Sequence, residues 1–352
     1  MALLTVEHLR VSFRTEGGTV HAVDDVSFAL QPGEVLGIVG ESGSGKSVTA
    51  MTLLGLTRSP NATFSGRAVL EATAADPEVD LLAADERGLQ HVRGKRVAMV
   101  FQDPMTALNP VHRVGDQIAE QVRAHSRVSR SAARDRAADL LRRVGIPRAA
   151  ERARAYPHEF SGGMRQRVMI AMALSCDPQV LVADEPTTAL DVTIQAQILA
   201  EIEDLRAETG VGVLLITHDL GVIAEVADRV VVMYAGRVVE QGGLRPIFTD
   251  PLHPYTWGLL GSVPRIDRDR PERLPTIGGT PPSLLAPPAG CHFKTRCPHR
   301  FGRCDEVPEL RGADPADPGH SDRCWLDLAA KREKRVVDGA IGLPLRPTGA
   351  VR

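Results

Sequence analysis

Apolar and polar residues alternate along residues 3–13 and again along residues 20–30, on either side of a turn at Gly17 and Gly18. Alternation around a glycine turn is typical of a β-hairpin. Shorter apolar runs follow at residues 35–39, 96–101, 180–185, 211–217 and 229–234. Runs of this length with little polar interruption are typical of buried strands. The last run is followed by residues 237–241, which predict a second hairpin around Ala235 and Gly236.

Helical spacing of apolar residues separates these runs. It occurs at residues 47–56, 114–144, 168–174 and 193–208. The third segment predicts an amphipathic helix, and the fourth places these residues on one face: Ile194, Ile198, Leu199, Ile202 and Leu205. We therefore expect an α/β fold with a helical subdomain at about residues 103–176. Residues 58–95 carry few long apolar patterns and predict short strands and loops.

Prolines mark a change of character after about residue 254. They stand at Pro254, Pro264, Pro271, Pro275, Pro281, Pro282, Pro287 and Pro288, and they interrupt any long element. We expect a first domain over residues 1–255, an extension over residues 256–330 and a flexible tail over residues 331–352.

Composition excludes few function classes. The 352 residues are 43% hydrophobic and 24% charged, and the net charge of -2 gives no reason to invoke nucleic acid. No apolar run reaches the roughly 18 to 20 residues that cross a bilayer, and residues 1–14 lack the long apolar centre of a signal peptide. We expect the chain to remain in the cytoplasm.

Residues 40–47 read G-x-x-x-x-G-K-S directly after a buried strand and before a helix. Glycines let backbone N–H groups approach a polyanion, and the start of the helix adds its positive dipole end. Lys46 is placed to reach the β- and γ-phosphates, and the Ser47 hydroxyl suits Mg²⁺. This stretch predicts a phosphate-binding loop.

Polar residues follow three of the other buried strands. Asp184 and Glu185 end one run, where the first carboxylate suits Mg²⁺ and the second can orient an attacking water. Gln102 follows another strand, and its amide suits a metal or water site. His218 follows a third and is placed to meet a terminal phosphate.

Ser161 precedes two glycines at the start of a helix. A serine in that position caps the helix, but capping does not explain Gly162 and Gly163, which each disfavour a helix by about 1 kcal/mol. The glycines allow backbone amides to approach an anion closely.

Four of the five cysteines lie close together near the C-terminus, whereas Cys176 lies apart. They are Cys291, Cys297, Cys304 and Cys324. In a reducing compartment such clustering indicates a metal site rather than disulfides. The spacing lacks the close pairs of structural zinc sites, and four thiolates also suit a [4Fe–4S] cluster, so both remain open.

Taken together, these motifs resemble the ATP-binding-cassette ATPases, and residues 161–166 are the strongly specific part. Residues 101–110, 184–197, 253–256 and 278–283, followed by the four cysteines, are similar to the ATPase subunits of bacterial oligopeptide/dipeptide importers. The resemblance covers about residues 3–325. It implies a RecA-like core with an antiparallel β edge, a helical subdomain and a small cysteine-containing extension.

The resemblance also implies roles for individual residues. The nucleotide-binding residues are Phe13, Gly40, Ser42, Gly43, Gly45, Lys46, Ser47 and Val48. The catalytic residues are Lys46, Gln102, Glu185 and His218, and the Mg²⁺ ligands are Ser47, Gln102 and Asp184. Residues Ser161, Gly162 and Gly163 contact the nucleotide of an opposing subunit, and Asp191 lies at the dimer seam.

Two further expectations follow from the resemblance. Phe13, which from its strand position alone is as readily a core residue, becomes the aromatic that stacks on adenine, and the four cysteines favour a [4Fe–4S] cluster over zinc. Phe160 departs from the leucine that usually begins the signature, outside the amide-bearing glycines.

The expected function is hydrolysis of ATP, with Mg²⁺, to power import of peptides or a related small solute. The expected partners are a second ATPase subunit, identical or homologous, two transmembrane permease subunits and an extracytoplasmic solute-binding protein, at the cytoplasmic face of a bacterial membrane. Two other functions compete: a cassette ATPase that acts on nucleic acid or ribosomes, and a nucleotide-regulated binding module with weak hydrolysis.

Overall fold

The computed structural model describes residues 2–103, 107–187, 192–262, 276–312 and 314–337. The strands are β1 (Leu4–Thr15), β2 (Gly18–Leu30), β3 (Val35–Val39), β4 (Ala62–Leu70), β5 (Val79–Asp80), β6 (Val97–Val100), β7 (Val180–Asp184), β8 (Gly212–Thr217), β9 (Arg229–Tyr234), β10 (Arg237–Gly243), β11 (Arg311–Gly312) and β12 (Ser321–Asp322). The helices are α1 (Lys46–Leu53), α2 (Glu86–Val92), α3 (Val114–His125), α4 (Arg130–Arg143), α5 (Ala149–Arg152), α6 (Gly162–Ala173), α7 (Val192–Thr209), α8 (Leu220–Val226), α9 (Leu244–Thr249), α10 (Pro254–Gly261) and α11 (Leu328–Val337). Short 3-10 helices occupy Pro157–Glu159 and Gly302–Asp305.

The chain passes back and forth between two compact units. The first consists of Met1–Leu4, Ala29–Val35 and Val69–Ile216, and the second of Thr5–Phe28, Leu36–Ala68 and Thr217–Arg352. The domain boundary expected near residue 255 lies inside the second unit.

Three parallel strands form the centre of the first unit. Strand β7 pairs with β6 from Val97 opposite Val180, and with β8 up to Asp184 opposite Ile216. Every residue of β7 and β8 is buried. The apolar runs therefore predicted these strands correctly, because a strand that is covered on both faces needs no polar alternation.

Helices α3, α4 and α6 of the expected helical subdomain pack on one another within the first unit. The prediction that α6 is amphipathic is wrong. Val168, Met169, Ile170 and Ala171 are consecutive and all buried, so the apolar surface encircles this part of the helix. Other helices and strand β6 cover it on several sides, and no polar face is needed.

The prediction of only short strands and loops for residues 58–95 is wrong at two places. Strand β4 has nine residues, of which only the last three, Ala68, Val69 and Leu70, are buried. Helix α2 begins at Glu86, where the side chain of Asp85 accepts a hydrogen bond from the Gly88 N–H at 2.8 Å. Mostly exposed elements lack the apolar signal on which the prediction depended.

The hairpin predicted at the N-terminus is confirmed as β1 and β2, which are neighbours in a four-stranded sheet. The Thr15 hydroxyl donates to the Gly18 carbonyl at 2.8 Å and closes the turn. The burial pattern of β1 shifts at His8, which has a positive φ of 49°.

Further strands pair with one another within the second unit. Strand β3 is parallel to β9, which pairs with β10 in the hairpin predicted around Ala235 and Gly236. Strand β12 then pairs with β10, placing Asp322 opposite Glu240, and β11 pairs with β12. The C-terminal region, by which we mean the described residues from 251 to 337, thus adds strands β11 and β12 beside β10.

Buried polar contacts hold the C-terminal region in place. Glu240 is fully buried, and its carboxylate accepts from the N–H of Leu252 at 2.6 Å and of His253 at 2.9 Å. Lys331 lies in a buried ion pair with Asp322 at 2.7 Å. Lys331 belongs to α11, which ends at Val337, so residues 331–337 of the expected tail are helical. Residues 338–352 lie outside the described residues.

Candidate functional site

The loop between β3 and α1 has the backbone shape that a phosphate site needs. At Gly40, φ is 154°, and a Cβ atom would lie 2.1 Å from the Met233 carbonyl oxygen. At Gly45, φ is 99°, and a Cβ would lie 2.5 Å from the Ala22 carbonyl oxygen. Glycine is therefore required at both positions. Gly45 is also the N-cap of α1 and, having no side chain, supplies no side-chain cap to this helix.

Lys46 lies over this loop rather than extending into solvent. Its ammonium group donates to the carbonyls of Gly40 at 2.7 Å and Glu41 at 3.0 Å, and lies 3.4 Å from the Ser44 hydroxyl. Only 6% of the residue is exposed. Phosphate oxygens can replace these neutral acceptors, because a charge-assisted hydrogen bond is stronger.

The other predicted nucleotide-binding residues lie at the tip of this loop, in the first turn of α1 and on β1. Ser42 and Gly43 are exposed at its tip, whereas Ser47 and Val48 are partly buried in the first turn of α1. Phe13 is partly exposed on β1, and it is not a fully buried core residue.

In the first unit, two of the predicted catalytic side chains are in direct contact. The Gln102 amide Nε2 donates to Glu185 Oε2 at 2.9 Å. Asp184, at the end of β7, is only 4% exposed. Glu185 has a positive φ of 48°, and its N–H donates to the Ile216 carbonyl at 2.8 Å. Sparsely populated backbone conformations of this kind cluster at functional sites.

Of the two remaining predicted residues, His218 lies within the described residues and Asp191 does not. His218 is exposed directly after β8, and Asp219 caps α8 by accepting from the Gly221 N–H at 2.7 Å. Asp191 lies outside the described residues, so its expected place at a dimer seam stays a prediction.

The signature segment begins helix α6 as predicted. The Ser161 hydroxyl accepts from the Met164 N–H at 3.3 Å, which makes Ser161 the N-cap. Ser161 and Gly162 are exposed, and no heavy atom lies within 4 Å of a Cβ added to Gly162. A Cβ on Gly163 would lie 3.0 Å from Ile194. The start of this helix is therefore open to a large ligand.

The four C-terminal cysteines line one pocket, together with His253, Phe293, His299, Phe301 and Trp325 among others. None of the chain's cysteines forms a disulfide in the described residues. Burial raises the pKa of the Cys291 thiol and raises that of Cys324 to about 12. Cys176 lies elsewhere, 3.7 Å from the Gln121 carbonyl.

These thiols have the donor chemistry of the expected metal site, but not its geometry. Across the ranges that the structure describes, no group of three or more His, Cys, Asp or Glu side chains is arranged to hold a metal ion. The sequence correctly grouped the four thiols in one pocket. Metal ligation itself stays a prediction.

Sequence reasoning did not place Tyr255 or Arg296 at the nucleotide site. In the second unit both contact Glu41, the second residue of the phosphate loop. Tyr255 belongs to one of the segments that carry the family resemblance, and Arg296 precedes Cys297. Neither position reveals its partner in the sequence, because the contacts join residues that are more than 200 positions apart.

Within the described residues, no helix is both long enough and apolar enough to cross a membrane.

Comparisons with known proteins agree with this geometry. Residues 23–188 match the ABC transporter family, and residues 239–304 match the family described as oligopeptide/dipeptide transporter, C-terminal region. The chain is 52% identical to the dipeptide transport ATP-binding protein DppD of Bacillus subtilis (strain 168), over 96% of this chain and 98% of that protein. It is 50% identical to the oligopeptide transport ATP-binding protein OppD of Salmonella typhimurium (strain LT2), over 89% and 91%.

Solved structures of ABC transporter cassettes have a similar fold. The dimeric structure of MJ0796, a bacterial ABC transporter cassette, has a TM-score of 0.61 and 26% identity, over 69% of this chain and 99% of that chain. The same cassette in a post-hydrolysis state, bound to ADP and phosphate, also has a TM-score of 0.61, at 25% identity. The fold and the phosphate loop thus define an ATP-binding-cassette ATPase, which binds and hydrolyses ATP.

The relatives that match over nearly their full length identify a narrower family within the ATP-binding-cassette ATPases. The chain belongs to the family of ATP-binding proteins of oligopeptide/dipeptide ABC transporters. The resemblance inferred from the motifs, and the expected α/β cassette fold, are confirmed.

Proposed function

We propose that this ATPase powers the import of dipeptides, oligopeptides or a related small solute through separate membrane subunits. The observation that carries the proposal is the match over 96% and 89% of the chain to proteins named for dipeptide and oligopeptide transport, together with the match of residues 239–304 to the C-terminal family. The contact between Gln102 and Glu185 supports active hydrolysis over a binding module with weak activity.

The proposed partners are a second ATPase subunit, identical or homologous, two permease subunits and an extracytoplasmic solute-binding protein, with the chain at the cytoplasmic face of the membrane. Affinity purification of the full chain from bacterial membranes, followed by identification of the bound proteins and their solute, tests this arrangement. Recovery of permeases with a peptide-loaded binding protein is the expected result. Recovery of ribosomes or nucleic acid without permeases would contradict it.

The residues divide the chemistry among them. Loop amides and Lys46 hold the β- and γ-phosphates. The hydroxyl of Ser47 and the carboxylate of Asp184 would hold Mg²⁺, which would neutralise phosphate charge. Glu185 polarises the attacking water, and its hydrogen bond from Gln102 fixes its orientation. His218 senses the γ-phosphate, and Phe13 stacks on adenine.

Hydrolysis becomes movement through pairing of two subunits. Ser161, Gly162 and Gly163 point backbone amides and a helix dipole at the nucleotide held by the opposing subunit. Loss of the γ-phosphate removes part of this attraction, so the closed dimer opens and does work on the permeases.

Replacing Ser161 with arginine tests the composite site. We expect Ser161→Arg to bind ATP normally but to form no ATP-dependent dimer, because the long cation occupies the open start of α6 where the partner's nucleotide docks. Light scattering with and without ATP measures dimer formation, and Ser129→Arg, at the N-cap of α4, is the matched control. Undiminished dimerisation of Ser161→Arg would contradict the composite site.

We further propose that Cys291, Cys297, Cys304 and Cys324 ligate a [4Fe–4S] cluster. Support comes from the position of all four around one pocket, and from the preference of such clusters for four thiolates. Because no described group of side chains is arranged to hold a metal, ligation requires these thiols to move closer together. The site has a structural or sensory role.

Protein purified without oxygen is expected to be brown, with broad visible absorption and bound iron. Replacing any one of the four cysteines with serine should remove the absorption, whereas Cys176→Ser should not. Iron analysis and visible spectra check this. Colourless protein with stoichiometric zinc would overturn the cluster but leave a four-ligand site.

A further inference from the structure

The second residue of the phosphate loop is held by an arginine from the C-terminal region. Arg296 Nη1 lies 2.7 Å from Glu41 Oε2, and Nη2 lies 3.0 Å from Glu41 Oε1. The pair is therefore bidentate, the geometry in which arginine binds a carboxylate most strongly. Only 4% of the Arg296 side chain is exposed, against 27% for Glu41.

Other residues of the second unit hold the rest of the guanidinium group. Arg296 Nε donates to the Gly278 carbonyl at 2.9 Å, and Nη2 donates to the Ile277 carbonyl at 3.0 Å. The guanidinium carbon also lies 5.7 Å from the centre of the Tyr234 ring. Arg296 is thus anchored independently of Glu41, and it can position the loop rather than follow it.

A tyrosine holds the main chain of the same loop residue. The N–H of Glu41 donates to the Tyr255 hydroxyl at 2.9 Å. Tyr255 is fully buried, and its ring lies 4.5 Å from Tyr234 and 5.5 Å from Phe293, measured between ring centres. This packing leaves the hydroxyl little freedom to move.

Each polar group of Glu41 therefore has a defined partner. Its N–H contacts Tyr255, its carboxylate contacts Arg296, and its carbonyl accepts from Lys46 at 3.0 Å. The loop must present its other amides and Lys46 to phosphate. A carboxylate beside a polyphosphate site would repel ATP, unless a cation neutralises it.

We propose that Arg296 and Tyr255 are positioning residues of the nucleotide site, through which the C-terminal region sets the conformation and charge of the phosphate loop. The inference rests on the proposed assignment of this loop to the phosphates of ATP. It assigns to the C-terminal region a direct influence on nucleotide affinity.

A double-mutant cycle on Arg296 and Glu41 tests the proposal. Calorimetric titration of the full chain with MgADP, which needs no hydrolysis, measures affinity. We expect Arg296→Ala to weaken MgADP binding about 10-fold, because an unpaired carboxylate remains on a less restrained loop. The variant that also carries Glu41→Gln should bind as Glu41→Gln alone does, since the carboxylate that Arg296 neutralises is already absent.

Arg300→Ala is the control, because Arg300 lies in the same segment but is half exposed, with Nη2 3.6 Å from Asp305. It should bind MgADP as the wild type does. Iron content and thermal unfolding of both arginine variants separate loss of loop positioning from loss of the cysteine pocket. If Arg296→Ala does not fold, Arg296→Lys replaces it, and we expect a smaller loss, because lysine cannot contact both carboxylate oxygens in the same geometry.

The outcomes are distinct. The positioning role would be overturned if the fold-changes in MgADP affinity of the two single variants simply multiplied in the double variant. It would also be overturned if folded Arg296→Ala or Arg296→Lys bound MgADP with wild-type affinity. Failure of the wild-type chain to bind MgADP would instead overturn the assignment of the loop itself.

Discussion

Glu185→Gln is expected to abolish ATP turnover while ATP binding persists. The amide keeps the shape of the side chain but cannot accept the proton of the attacking water, and loss of a general base slows a reaction by about 100- to 10,000-fold. The hydrogen bond from Gln102 is retained through the remaining carbonyl oxygen, and the N–H bond to Ile216 is unaffected. Because closed dimers then cannot hydrolyse their nucleotide, a stable ATP-dependent dimer should accumulate.

Phosphate release and calorimetric titration with MgATP measure the two properties separately. Glu120→Gln, an exposed position on α3, is the matched control and should turn over ATP at the wild-type rate. Hydrolysis by Glu185→Gln within a few-fold of the wild type would remove Glu185 from its assigned role. Loss of MgATP binding would show that the substitution acts on the nucleotide site and not on the chemical step.

The parts of the site that the sequence predicted are the parts whose chemistry is local. A phosphate loop needs glycine where a Cβ would strike a carbonyl, as at Gly40 and Gly45, and it needs a lysine and a hydroxyl directly afterwards. These requirements fall on consecutive residues, so the motif and the structure carry the same information. The buried strands were equally predictable, because burial on both faces removes polar residues from the run.

The parts that the sequence missed depend on contacts between distant residues. Glu41 looks like an arbitrary member of the loop, and its bond to Arg296 spans 255 positions. Residues 331–337 are basic and predict a tail, whereas in the structure they belong to helix α11 and Lys331 is buried against Asp322. A buried ion pair has no periodic signature, and only the fold brings its members together.

Four cysteines illustrate an intermediate case. Their clustering in the chain predicted that they share a site, and they do line one pocket. Spacing alone does not fix the distances between sulfur atoms, because proline-rich loops connect them. Metal analysis, and not the spacing, therefore distinguishes an iron–sulfur cluster from zinc.

Lys46→Ala is expected to weaken nucleotide binding itself, in contrast to Glu185→Gln. Lys46 is nearly buried, and its ammonium is aimed at the loop by the carbonyls of Gly40 and Glu41. Deleting a charge-assisted contact of this kind costs about 1.5 to 3 kcal/mol, which corresponds to a loss of affinity of roughly 10- to 100-fold. The loop also loses the two hydrogen bonds by which the Lys46 ammonium holds the carbonyls of Gly40 and Glu41.

Titration of the full chain with MgATP and with MgADP measures the loss, and thermal unfolding shows whether the variant keeps its fold. Lys95→Ala is the control, because that lysine pairs with Asp76 at 2.7 Å and lies outside the phosphate loop. Comparison of ATP with AMP tests which phosphates Lys46 contacts. The loss of affinity should be larger for ATP than for AMP, since AMP lacks the β- and γ-phosphates that Lys46 contacts. Equal losses for the two nucleotides, or unchanged affinity for ATP in a folded variant, would show that Lys46 does not bind the phosphates.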